Sequence, residues 1–276
     1  MNLTRRAAWI AAAPLLAIVA LAVVLPFAWR SGGFAVDCLR GDECALHDLV
    51  ADGYYLKAIF NTIWISALST AVALAIGCGA AVALAERPSW RRASSVLANL
   101  GANFAGVPLA LALTLLLGVQ GVVREGLAQA GIALPFALDG NAGLLLAYLC
   151  FQVPLATLML AQPVQMLEGG LMDAAATLGA GPLLFWRRVG LPLLLPSLVE
   201  VGSLLFANAA AAYATPFALA GTSANVLAVR IAALVSGDIF AQPALSSLLA
   251  LLMFALLALV IGGAGLLARR LRGRAE

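Results

Sequence analysis

Few side chains in this sequence could do chemistry. It holds one histidine, His47, and one lysine, Lys57. Metallohydrolysis of the H-E-x-x-H type needs two histidines a helical turn apart, so it is excluded. A nucleotide-binding G-x-x-x-x-G-K-[ST] loop needs its lysine directly after glycine, whereas Lys57 follows Tyr55 and Leu56. His47 stands beside Asp42, Glu43 and Asp48, away from the apolar runs, and leaves no Ser-His-Asp triad within them. Cysteine and histidine show no metal-ligand spacing. Cys38 and Cys44 can close a local disulfide or remain two thiols; Cys78 and Cys150 fall in apolar runs and read as small buried hydrophobes. No aspartate lies inside an apolar run. What remains is one carboxylate, Glu200, within a long apolar stretch. Burying a charge there costs about 2.5–3.5 kcal/mol on insertion scales. Three roles fit it: lining the path of a cationic solute, pairing across a subunit interface, or protonation near the inner surface. Neither catalysis, a cofactor nor a metal is expected.

The elements that must carry these residues are set by composition. Of the 276 residues, 63% are hydrophobic and 11% charged, against about 25% charged in soluble domains. Such a chain cannot build a water-facing shell, and it has neither the charge of a disordered chain nor the clustered basic face of a nucleic-acid binder. A hydrocarbon core of about 30 Å needs about 20 apolar residues in a helix. Six stretches qualify: Ala7–Trp29, Ala58–Ala85, Ser94–Gly118, Gly143–Leu167, Leu191–Ala220 and Pro243–Ala268. They lack the polar/apolar alternation of a barrel wall, so the expected fold is all-α, integral to the membrane, with six transmembrane helices. The first apolar run exceeds the 7–15 residues typical of a signal-peptide core and reads as an uncleaved signal anchor.

Charge placement predicts orientation. With the N-terminus inside, the cytoplasmic side receives Arg5, Arg6, Arg87, Arg91, Arg92, Arg187, Arg188, Arg269, Arg270, Arg272 and Arg274. Only Arg30, Arg40, Lys57, Arg124 and Arg230 fall outside. The positive-inside rule then favours both termini in the cytoplasm. The chain divides into a first helix with an acidic outer loop (1–57), a five-helix core (58–268) and a basic tail (269–276). Val119–Gln129 reads as a short amphipathic helix near the membrane surface.

The longest inner loop, 168–190, is more elaborate than a connector requires. Leu171–Leu178 has good helix formers, Gly179 can take a left-handed cap, and Pro182 suits the first turn of a second helix. Arg187 and Arg188 anchor it at the cytoplasmic face. Asp173-Ala174-Ala175, Leu178-Gly179-Ala180, Phe185, Val189, Leu191-Pro192 and Pro196 follow the pattern E-A-A-x-x-L-G-A, F, V, L-P, P, with aspartate for glutamate. The loop thereby resembles the EAA loop of permease subunits in binding-protein-dependent ABC importers, the type I, methionine-importer-like superfamily. Asn61-Thr62, Gly106-Val107-Pro108 and Val153-Pro154 are similar to further positions of that family.

The resemblance implies the type I importer permease fold in a bacterial inner membrane and a loop that couples to a separate cytoplasmic ATPase dimer. Asp173 would meet the ATPase, Ala174 and Ala175 would permit close approach, and Gly179 would allow the bend, with Leu178, Ala180 and Phe185 completing the motif. It also implies a second permease subunit and an extracytoplasmic solute-binding protein. Ala212-Tyr213-Ala214-Thr215-Pro216 with Gly221 is similar to spermidine/putrescine permeases, which points to a polyamine and a heterodimeric pore; Ala211 and the lone Gly221 depart from that pattern. Iron, phosphonate, sulfate and molybdate permeases share the scaffold. Glu200, Asn208 and Tyr213 are the expected pathway residues. A secondary transporter driven by an ion gradient is the rival, but the halves show no repeat.

Overall fold

The computed structural model describes residues 52–85, 88–168, 170–236 and 243–273, with isolated positions among 13–29 and 49–50. The expected first span Ala7–Trp29 therefore lies almost wholly outside the described residues, as do Cys38, Cys44 and His47. Among the described residues every regular element is helical: α1 (Gly53–Ala85), α2 (Pro88–Asn103), α3 (Val107–Leu117), α4 (Val122–Gln129), α5 (Asn141–Glu168), α6 (Leu171–Thr177), α7 (Pro182–Phe185), α8 (Leu191–Ala210), α9 (Ala214–Ala220), α10 (Leu227–Ser236) and α11 (Pro243–Arg272). Among the described residues five helical stretches, Gly53–Ala85, Val107–Gln129, Asn141–Leu167, Pro182–Ala210 and Ala244–Arg272, are long and apolar enough to cross a membrane, and a bent pair, Ala214–Ser223 with Leu227–Ser236, makes a sixth if counted as one span. Leu97, Leu111, Leu115, Leu259 and Leu266 are all exposed, a surface that needs lipid. The chain is a multi-pass membrane protein.

Two expected spans are broken. Ser94–Gly118 divides at Phe104–Gly106 into α2 and α3, because Gly106 takes φ 78° and Pro108 stands in the first turn of the next helix. Leu191–Ala220 divides after Ala210, and α9 restarts with Pro216 in its first turn. The bend between α9 and α10, 67°, was not anticipated either. Val119–Gln129 does hold a short helix, α4. Its Arg124 bonds the Leu117 and Phe136 carbonyls, closing the end of α3. Cys150 is exposed on α5, and Cys78 is half-buried on α1, so neither is the fully buried small hydrophobe expected of it.

The chain forms two compact units, Met1–Leu56 with Ile231–Ala255, and Lys57–Arg230 with Leu256–Glu276. In the first, Leu245, Leu248 and Leu249 are buried along the opening turns of α11. The larger unit carries two apolar clusters. One joins Ala73, Ala156, Leu160, Val164, Leu194 and Leu205 from α1, α5 and α8. The other joins Ile65, Leu109, Leu113, Leu144, Tyr148 and Ala209 from α1, α3, α5 and α8. Helices in lipid gain little from hydrophobic attraction and depend on close van der Waals fit at small residues. A Cβ on Gly77 would stand 2.6 Å from Ala156 Cβ, and one on Gly101 2.8 Å from Pro154 Cγ. A buried amide adds a directional tie, Gln152 Nε2 donating to the Leu205 carbonyl at 2.9 Å.

Gly77 and Gly79 sit on the same helix, yet nothing approaches a Cβ at Gly79. Gly77→Ala should cost about 1–3 kcal/mol by overpacking, and Gly79→Ala should be neutral or slightly stabilising. Thermal unfolding midpoints in detergent measure both.

Candidate functional site

The most distinctive local structure is the segment from Gly170 to Gly190. Helix α6 ends in a left-handed cap: Gly179 has φ 78°, its N–H donates to the Ala176 carbonyl, and the Ala180 N–H reaches the Ala175 carbonyl, both at 2.9 Å. These paired bonds are the Schellman arrangement, which satisfies carbonyls that a helix end leaves free. Nothing lies within 4 Å of a Cβ at Gly179, so the glycine answers to backbone conformation alone. After the cap, Pro182 opens α7, and a wider π-type turn, Trp186–Gly190, carries the chain into α8. A Cβ at Gly190 would meet the Trp186 ring at 2.6 Å.

This segment is fixed at one end and bare at the other. Phe185 is 2% exposed and packs edge-on against Trp186, with ring centroids 5.8 Å apart. Leu178 is 87% exposed and Leu183 83%. Asp173 and Ala174 are exposed in the first turns of α6, and Ala175 is half-buried. Thus the expected coupling residues share one short structure, with Asp173, Ala174, Leu178 and Gly179 on its outside and Phe185 inside.

The expected pathway residues are not gathered. Glu200 and Asn208 lie two turns apart along α8, about 12 Å. Glu200 is held by Arg272 near the end of α11, whose Nη2 stands 2.6 Å from both carboxylate oxygens. Asn208 is exposed. Tyr213 follows the break after α8 and stacks on Phe217, with centroids 5.2 Å apart.

A second polar locus holds the α9–α10 bend. Asn61 Nδ2 donates to the Asn225 carbonyl at 3.2 Å. Thr62 Oγ1 accepts the Leu227 N–H and donates to the Ala58 carbonyl, each at 2.8 Å. Arg230 is buried, its guanidinium donating to Asn225 Oδ1 and to the Thr222 and Ala224 carbonyls. Arg230, expected on the outer side, lies within α10 and braces this turn, a role that its place in the apolar run Leu227–Val235 signals.

Comparison with known proteins decides the family. No family model matches the sequence. A probable ABC transporter permease protein, y4fN of Sinorhizobium fredii, is 26% identical over 76% of the chain. The molybdenum transport system permease protein ModB of Mycobacterium bovis is 30% identical over 213 residues, 75% of this chain and 78% of ModB. This chain belongs to the ABC transporter permease family. The permease spans 37% of y4fN and 27% of the thiamine transport system permease protein ThiP of Salmonella typhimurium, to which it is 32% identical over 146 residues. Its fold is shared with a bacterial alginate ABC transporter crystallised with an alginate-bound periplasmic protein, at TM-score 0.74 and 16% identity over 95% of this chain and 93% of that one.

Two measurements test the permease's local structure. Gly179→Ala forces a left-handed alanine, costing about 1–2 kcal/mol, so hydrogen exchange at the Ala180 amide should quicken by about tenfold. Gly181→Ala, at a position with φ −69° and open space, should leave it unchanged. Glu200→Gln and Arg272→Gln should each lower the thermal midpoint only slightly, and a double-mutant cycle should return a coupling of about 0.2–1 kcal/mol, since both side chains are partly exposed.

Proposed function

We propose that this chain is an inner-membrane permease subunit of a binding-protein-dependent importer, and that the segment Gly170–Gly190 is its contact with a cytoplasmic ATPase dimer. The carrying observation is the exposed, capped segment that merges into α8. Leu178 and Leu183 offer apolar side chains that have nothing to cover them within the segment, Asp173 adds a charge, and Ala174 lets a partner surface approach. Pro182–Ala210 runs as one helical stretch. ATP-driven closure of two ATPases, pressing on α6 and α7, would thereby be delivered to a membrane helix and switch the pathway by rigid-body motion. The ATP chemistry belongs to that other subunit.

The rest of the reading follows the same line. Six spans with both termini inside place Gly170–Gly190 and Arg269–Arg272 in the cytoplasm. A second permease subunit, different from this one, completes the pore, and an extracytoplasmic solute-binding protein delivers the solute. Asn208 and Tyr213 line the outer half of the pathway, and Glu200, neutralised by Arg272, fastens α8 to α11 at its inner end. That pairing bears on the solute. A polyamine is supported by the segment Ala212–Pro216, but the carboxylate that would meet a cation is already occupied. The named relatives carry thiamine and molybdenum in their names, so the solute class here is a small polar molecule.

Co-expression with the ATPase and reconstitution in liposomes test the proposal. The intact complex should take up the solute its binding protein carries only when ATP is supplied, and Asp173→Arg or Gly179→Pro should cut uptake at least tenfold while leaving the permease folded. Accumulation by the permease alone under a proton or sodium gradient would overturn it in favour of a secondary transporter.

A further inference from the structure

Helix α2 has three different sides. One packs through Gly101 against Pro154. A second carries exposed Leu97, suited to lipid. The third is polar: Arg92, Asn99 and Asn103 are exposed, and with Val96 they follow the i, i+4, i+7, i+11 spacing of a single helix face. Asn99 Nδ2 donates to the Ser95 carbonyl and Asn103 Nδ2 to the Asn99 carbonyl, each at 2.8 Å. Each amide keeps an oxygen and a second N–H beyond that bond. A cleft of about 440 Å³ lies here, lined by Val96, Asn99, Leu100, Asn103 and Phe104.

Depth adds to this. From Arg92, a natural anchor at the inner surface, Asn103 is about 16 Å along the helix, roughly half of a 30 Å hydrocarbon core. At that level the span expected from sequence, Ser94–Gly118, breaks at Phe104–Gly106, where the Gly106 N–H is received by Thr215 Oγ1 of α9 at 3.0 Å. α9 itself follows the break at Ala211–Tyr213. Two interrupted helices meeting within the membrane are tolerated where they are buried in protein or line a watered cavity, and they commonly frame solute sites. Amides facing hydrocarbon would forfeit their hydrogen bonds at a cost of several kcal/mol each.

We infer that Asn99 and Asn103 line the solute pathway, presenting a pair of neutral amides to the solute just inside the joint of the two broken helices. The inference rests on the importer reading and names residues that the resemblance to known permeases does not. Recognition here is by hydrogen bonding and not by counter-charge, which fits a polar solute with several donor or acceptor groups.

Cysteine accessibility tests it without knowledge of the solute. With the four native cysteines replaced, Asn99→Cys, Asn103→Cys and Leu97→Cys are introduced singly into the full complex in membrane vesicles. A membrane-impermeant, cationic methanethiosulfonate reagent should label Cys at 99 and 103 at least tenfold faster than at 97, and ATP with vanadate should change the rate at 103. Labelling at 99 and 103 as slow as at 97 would overturn the inference, as would oxidative cross-linking of those cysteines to a second permease subunit without labelling, which would make the stripe a subunit interface. Fast labelling that ATP leaves unaltered would keep the lining and count against the importer reading alone.

Discussion

Hydrocarbon offers the backbone no water, so each interruption of a helix in this bundle must find its own hydrogen-bond partners. That constraint explains where the few polar residues sit. At the α2–α3 break the Gly106 N–H goes to Thr215. At the α9–α10 bend the Leu227 N–H goes to Thr62, and Arg230 gathers two carbonyls. Arg124 takes the Leu117 carbonyl where α3 ends. A chain with only 11% charged residues spends two of its arginines, Arg124 and Arg230, on loose backbone ends.

The close glycine contacts make the larger unit stiff. Gly77 against Ala156 and Gly101 against Pro154 leave no room for sliding without collision. Between Pro182 and Ala210 the helical path continues through the π-type turn, so the exposed tip at Leu183 is connected by backbone hydrogen bonds to the interior of the bundle. A load applied at that tip has no flexible linker in which to dissipate once past Gly181.

Much of this was legible in the residues, for reasons that can be named. Spans are the loudest signal in a hydropathic sequence, and α1, α5 and α11 run close to their expected limits, extended mainly by a turn or so at one end. The Gly170–Gly190 segment was readable because a left-handed cap needs glycine and a first helical turn welcomes proline, and Gly179 and Pro182 stand at those places. The breaks were hidden because apolar composition runs through them unbroken: Leu191–Ala220 reads as one span although its backbone does not remain one helix. Glu200 stands out in the sequence as the one carboxylate within a long apolar stretch, but its partner, Arg272, lies 72 positions away, and tertiary pairing over such a distance leaves no local trace. Asn99 and Asn103 drew no notice because they sit in a helix whose composition is only moderately apolar, and their shared face matters only once Gly101 is known to occupy the opposite one.

Thr62 uses a hydroxyl to its limit, its proton directed at one carbonyl and a lone pair receiving an amide from far along the chain. Valine would match its shape and supply neither function; alanine would supply neither and leave a gap. Serine keeps both, so the anchoring of that turn hangs on a single hydroxyl that no apolar side chain of the same size can replace.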